Sequence, residues 1–174
     1  MRQISNLSNF SKGNSFYYTN LLIVDGSFRP KFVRMQSSVS FKRLLKNLID
    51  TNTMFFEPIC LNNILKHLIE ISKIRYFESL HEDYLLSLMA FKLCNPKYIP
   101  GAYAIYREHG RNLTGVTSKD TYRQLLSLEK SIKTLMAFRH ACGELMNTVE
   151  KLLWFVSVLD RVMLITHVII TKLT

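Results

Sequence analysis

The chain has 174 residues, of which 48% are hydrophobic and 21% charged. This excludes a disordered polar chain and a collagen-like or low-complexity one, and leaves room for one domain with a real core plus an appended segment. Lysine and arginine number 23 against 13 acidic residues, a formal net charge of +10, so the surface attracts polyanions: nucleic acid, anionic lipid, or nucleotide and lipid diphosphates. The polar N-terminal segment, residues 1–15, has no apolar run of the kind a secretory signal needs. Cys60, Cys94 and Cys142 form no C-x-x-C and are odd in number. Neither a disulfide framework nor a structural zinc site is expected, and a reducing, cytoplasmic setting fits.

Residues 16–24 (FYYTNLLIV) are aromatic and β-branched and predict a strand. Asp25-Gly26 signals a hairpin, with residues 28–35 returning as a partner that Pro30 confines to an edge or bulge. Ser40 is placed to cap a short amphipathic helix carrying Phe41, Leu44, Leu45 and Leu48, with Lys42, Arg43 and Lys46 on its solvated side. A short β-prone run at 51–56 precedes helices at 61–71 and 82–93, the second stopped by Asn95-Pro96. Residues 98–106 are strand-like and interrupted by Pro100-Gly101, and 107–116 form a polar loop. From Ser118 the chain is helical, with a break at Gly143 and a last helix over about 147–172.

That last helix is apolar on nearly every side between Leu152 and Ile170, close to the ~20 residues that cross a bilayer. Asp160 and Arg161 stand at its centre, where each would cost roughly 2.5–3.5 kcal/mol, relieved in part by pairing with one another. The segment reads as a helix packed in a core or on a partner, as one lying on a membrane surface, or least readily as a spanning one.

Two stretches carry chemistry. Glu82 and Asp83 open a predicted helix, where the free N–H groups and the dipole favour carboxylate anions, so one of them can serve as a general base. Adjacent residues do not share a helix face, so the other is left a supporting role; the plain alternative is a pair of helix-start acids. Tyr106-Arg107-Glu108-His109-Gly110-Arg111-Asn112 leaves a strand for a loop. Arg107 has the planar fork that pairs with phosphate, and His109 is a candidate for a metal or a phosphate oxygen; otherwise both are ordinary loop residues.

Four pieces in order complete the pattern: Tyr17-Tyr18-Thr19-Asn20-Leu21-Leu22-Ile23-Val24-Asp25-Gly26; Ser40-Phe41 with Leu44-Leu45, Asn47, Ile49, Thr51, Thr53 and Phe55-Phe56; Glu82-Asp83-Tyr84-Leu85-Leu86-Ser87-Leu88; and Tyr98-Ile99-Pro100 with Ala104, Tyr106-Arg107, His109, Asn112 and Thr114. In this order and spacing the stretch from Phe16 to Asn112 resembles the C-terminal half of bacterial family 2 glycosyltransferases, inverting enzymes of the GT-A fold. The resemblance implies an α/β fold, α+β within this fragment. It would comprise an acceptor-side half at 16–117 and a helical C-terminal extension at 118–174. It implies that Asp83, with Glu82 beside it, deprotonates an acceptor hydroxyl while a sugar leaves a nucleotide diphosphate. His109 would lie near a divalent metal (Mg or Mn), and Arg107, Tyr106 and Asn112 near substrate or diphosphate.

The implied partners are a nucleotide-sugar donor and a glycan or lipid-linked acceptor, in surface polysaccharide or glycolipid synthesis. The family's nucleotide-binding half and its D-x-D motif have no counterpart here. The chain is therefore expected to be a truncated or split enzyme, inactive alone, with a missing N-terminal half or a second copy as partner, and with peripheral membrane contact. Nucleic acid is not the expected partner. The alternatives are a small basic module binding nucleic acid or protein, and a membrane-surface helical protein.

Overall fold

The computed structural model describes residues 13–34, 40–45, 53–107 and 121–173. Among them the fold is α+β: a four-stranded sheet and five α-helices. Strand β1 (Ser15–Val24) is central. Strand β4 (Asn95–Arg107) runs parallel to it from Ser15↔Asn95 to Val24↔Arg107. Two short antiparallel strands share the other edge of β1: β3 (Met54–Phe56) along residues 16–18 and β2 (Pro30–Arg34) along residues 21–24. The predicted strand at 16–24 is therefore present, and all three of its partners follow it in the chain.

The hairpin differs from the expectation. The return strand starts at Pro30 instead of residue 28 because the Asp25 carboxylate captures two amides, accepting from Ser27 N at 2.8 Å and from Arg29 N at 2.9 Å. This widens the turn, and Phe28, not Gly26, takes the left-handed backbone with φ 62°, an uncommon setting for a bulky residue. In β4 the interruption at Pro100-Gly101 is a bulge: Tyr18 pairs with Tyr98 and Asn20 with Tyr103, so four residues of β4 oppose one of β1. Pro100 has no amide for the ladder, and Gly101 sits at φ 72°. The strand nevertheless begins at Asn95, three residues before the predicted start.

Helix α1 (Phe41–Leu45) is capped by Ser40, whose hydroxyl accepts from Arg43 N at 3.4 Å. Helix α2 (Pro58–Ser72) starts earlier than predicted because Pro58 suits the first helical position. Helix α3 (Glu82–Leu93) has the predicted bounds. Helix α4 (Thr121–Cys142) ends ahead of Gly143, and α5 (Thr148–Leu173) follows. Asn147 and Glu150 cap α5 reciprocally: Glu150 N donates to Asn147 Oδ1 and Asn147 N to Glu150 Oε2, both at 2.9 Å. The expected Ser118 cap lies outside the described residues.

One core gathers β1, β3 and helices α1 to α4. Phe16 and Tyr18, two apart on one face of β1, pack with Phe41, Leu44, Ile64, Tyr84, Leu88, Leu135 and Phe138. A disulfide joins Cys60 in the first turn of α2 to Cys94 at the end of α3, with Cα atoms 5.5 Å apart. This corrects the expectation of unpaired cysteines. The two residues are 34 apart in sequence, and only the packing of α2 on α3 brings them together. Cys142 is the remaining free thiol, buried in the core; burial pushes its pKa up to about 11.

Helix α5 packs through one side only. Trp154 Nε1 donates to Leu135 O at 2.8 Å. Arg161 does not pair with its neighbour Asp160, which is exposed. Its guanidinium turns inward and donates to Leu45 O (2.6 Å), Ser131 Oγ (2.6 Å), Ser157 O (2.9 Å) and Tyr84 OH (3.3 Å). Successive helix positions are about 100° apart, so the two charges could not share a direction. Leu152, Phe155, Leu159, Val162, Met163 and Ile170 are exposed on the other side.

Candidate functional site

Glu82 and Asp83 occupy the first turn of α3, both exposed. The turn behind them is fixed. His81 N donates to Thr134 Oγ1 at 2.9 Å, and its Nε2 lies 3.2 Å from Ser127 O, which ties the start of α3 to α4. Tyr84, the next residue, is 1% exposed and donates to Leu45 O at 2.7 Å. Burial pushes its phenol well above the ordinary range, against the pull of the Arg161 charge, so it remains a neutral donor. The carboxylates thus stand on a rigid, solvent-facing helix end.

Tyr106 and Arg107 close β4, opposite Ile23 and Val24 of β1. The Arg107 guanidinium lies over the Phe28 ring, 5.1 Å from its centroid, so the widened hairpin turn supports it. The acidic pair and the Tyr106-Arg107 pair therefore mark the two ends of one helix–strand unit that turns at Cys94. His109 and Asn112, the other residues of that motif, lie outside the described residues.

A divalent metal takes several converging oxygen ligands. Glu82 and Asp83 are adjacent on a helix and diverge, and no group of three or more His, Cys, Asp or Glu among the described residues is arranged to hold a metal ion. The described residues do not compose the metal site by themselves.

One cluster escaped the sequence reading. Glu57, 4% exposed, precedes α2 and accepts from Ser15 N and from Tyr17 OH, each at 2.8 Å. Lys97 Nζ lies 5.4 Å from the centre of the Tyr17 ring and 3.5 Å from its hydroxyl. Desolvation pushes the Glu57 carboxyl up, but the bonds from Tyr17 and Ser15 and the Lys97 charge outweigh it and hold the pKa below the ordinary value. Desolvation, then the bond to Glu57, raises the Tyr17 phenol. Gly13 belongs here too: a Cβ there would lie 2.6 Å from Glu57 Oε2. The cluster links β1, β3, α2 and β4, and both side-chain bonds of Glu57 are made to β1, so its role is to hold the sheet corner. The one sequence signal for it was an acid directly before Pro58. No protein-family model, curated protein or solved structure matches the chain.

Proposed function

We propose that the chain is the acceptor-side part of an inverting glycosyltransferase. The reading is carried by Asp83, exposed with Glu82 in the first turn of a helix that the buried Tyr84 and the His81–α4 bonds hold in place. In this reading the Asp83 carboxylate takes the proton of an acceptor hydroxyl as that oxygen bonds to the anomeric carbon of the sugar. The bond from that carbon to the nucleoside diphosphate breaks on the opposite face, and the diphosphate leaves with the electron pair. Glu82 keeps the mouth of the site acidic, and Arg107, seated on Phe28, offers a planar cation to a phosphate or sugar oxygen. The parallel pairing of β4, which directly follows α3, with β1 is the α/β element that supports the partial GT-A reading.

The test is made in the host cell, where any partner is present. Asp83→Asn at the native locus should lower incorporation of labelled sugar into surface glycan by roughly 100-fold or more, the scale of a lost general base. The protein level should stay unchanged, and Glu82→Gln should have a smaller effect. Wild-type glycan in the Asp83→Asn strain would overturn the proposal.

A further inference from the structure

Helix α5 carries a second surface. Its packed side holds Trp154, Ser157 and Arg161, bonded to Leu135 of α4 and Leu45 of α1. At about 100° per residue, Leu152, Phe155, Leu159, Val162, Met163 and Ile170 fall on the opposite side, and all are exposed. They form one stripe, interrupted only by Thr166 and bounded by Lys151 on one rim and Asp160 on the other. From residue 152 to 170 it runs about 27 Å at 1.5 Å per residue. An apolar strip of this length on one side of a helix marks an interaction surface.

By length and composition residues Thr148–Thr171 could cross a bilayer. The bonds from Trp154 and Arg161 instead hold the helix lengthwise against the domain, with one side left for an apolar surface. Charge indicates which. Helix α3 meets α5 through the Lys92–Glu150 ion pair at 2.7 Å and the Tyr84 hydroxyl, and the elements packed along the length of α5 are α1 and α4. The first carries Lys42 and Arg43 and no acid. The second carries Lys130 and Lys133 on its side away from α5, with Lys133 paired to Glu129 at 2.6 Å, and Arg139 over the Trp154 ring, 5.2 Å from its centroid. The chain as a whole carries a formal net charge of +10, so a second copy laid along the stripe would meet like charge. An anionic bilayer would attract that charge while taking up the stripe.

We propose that α5 lies in the plane of an anionic membrane surface, with its Leu152–Phe155–Leu159–Val162–Met163–Ile170 side sunk at the headgroup boundary and the chain's net positive charge drawn to the lipid phosphates. This contact is independent of the transferase reading.

The purified full chain is sedimented with phosphatidylcholine vesicles, and with vesicles in which about one-third of the lipid is phosphatidylglycerol. The chain should pellet with the anionic vesicles, more weakly as salt rises, and poorly with phosphatidylcholine alone. The double variant Leu159→Glu/Met163→Glu, altered only at exposed positions, should lose about tenfold or more in vesicle affinity while keeping its circular dichroism. Ile69→Glu, at an exposed apolar position of α2, should bind as wild type. Three results would overturn the proposal: no binding to anionic vesicles, equal binding by the double variant, or a dimer in light scattering that the double variant splits while vesicle binding is absent.

Discussion

Replacing Arg161 by methionine tests how α5 is attached. Methionine keeps most of the stem and removes the fork. Three donors meet at Leu45 O: Tyr84 OH at 2.7 Å, Ser157 Oγ at 3.2 Å and Arg161 Nη2 at 2.6 Å. Loss of the arginine leaves two of them, so this carbonyl is not orphaned. Ser131 Oγ loses its donor, but it lies on a partly exposed surface that water reaches. The cost is therefore the net worth of charge-assisted bonds, about 1.5–3 kcal/mol. Loss of the guanidinium from over the Tyr84 ring, 5.8 Å from its centroid, adds about 0.5–1 kcal/mol. The sum, about 2–4 kcal/mol, corresponds to a fall in Tm of roughly 5–15 °C for a chain of this size. Urea titration followed by circular dichroism reads it directly. Arg161→Lys should recover only part of the loss, since an ammonium cannot span the same acceptors. Asp160→Asn, at an exposed site on the same helix, should change stability by less than about 0.5 kcal/mol. A cost for Arg161→Met no larger than that for Asp160→Asn would refute the anchoring role.

Two further outcomes follow from the core. Reduction of Cys60–Cys94, or Cys94→Ser, releases a loop closed across 34 residues. By chain entropy this costs about 4 kcal/mol, so calorimetry with and without reductant should show a fall in Tm, and an unchanged Tm would show that the bridge does not constrain the chain. A thiol assay should count one group in the unfolded unreduced chain, three after reduction, and almost none in the native protein, where Cys142 is buried. Glu57 gives the pH dependence. Its folded pKa lies below the ordinary 4.5, so its contribution is complete above the unfolded value and is lost as pH falls from about 4.5 through the lower folded value. Glu57→Gln should be less stable than wild type at neutral pH and flatter in acid. Parallel acid profiles for the two proteins would count against the Tyr17–Glu57–Ser15 cluster.

Much of the fold was legible locally. Aromatic and β-branched composition placed β1, Pro96 ended α3, Ser40 capped α1, and Gly143 separated α4 from α5. These signals act within a few residues, where backbone sterics and short hydrogen bonds decide the conformation. The acidic pair was equally plain in the sequence, since a helix start needs no distant partner to define it. What sequence could not give was the destination of each long-range contact. Cys60 meets Cys94 because α2 packs on α3, and Glu57 reaches Tyr17 and Ser15 because β3 pairs with the start of β1. Arg161 looked like half of an intramembrane charge pair, yet it serves the Leu45 carbonyl of α1, 116 residues away. Periodicity marks which side of a helix is apolar but not which neighbour covers it. In α5 both sides are apolar, so packing alone chose the buried one: the guanidinium and the Ser157 hydroxyl had to reach polar partners inside the protein, and the stripe opposite was left facing out.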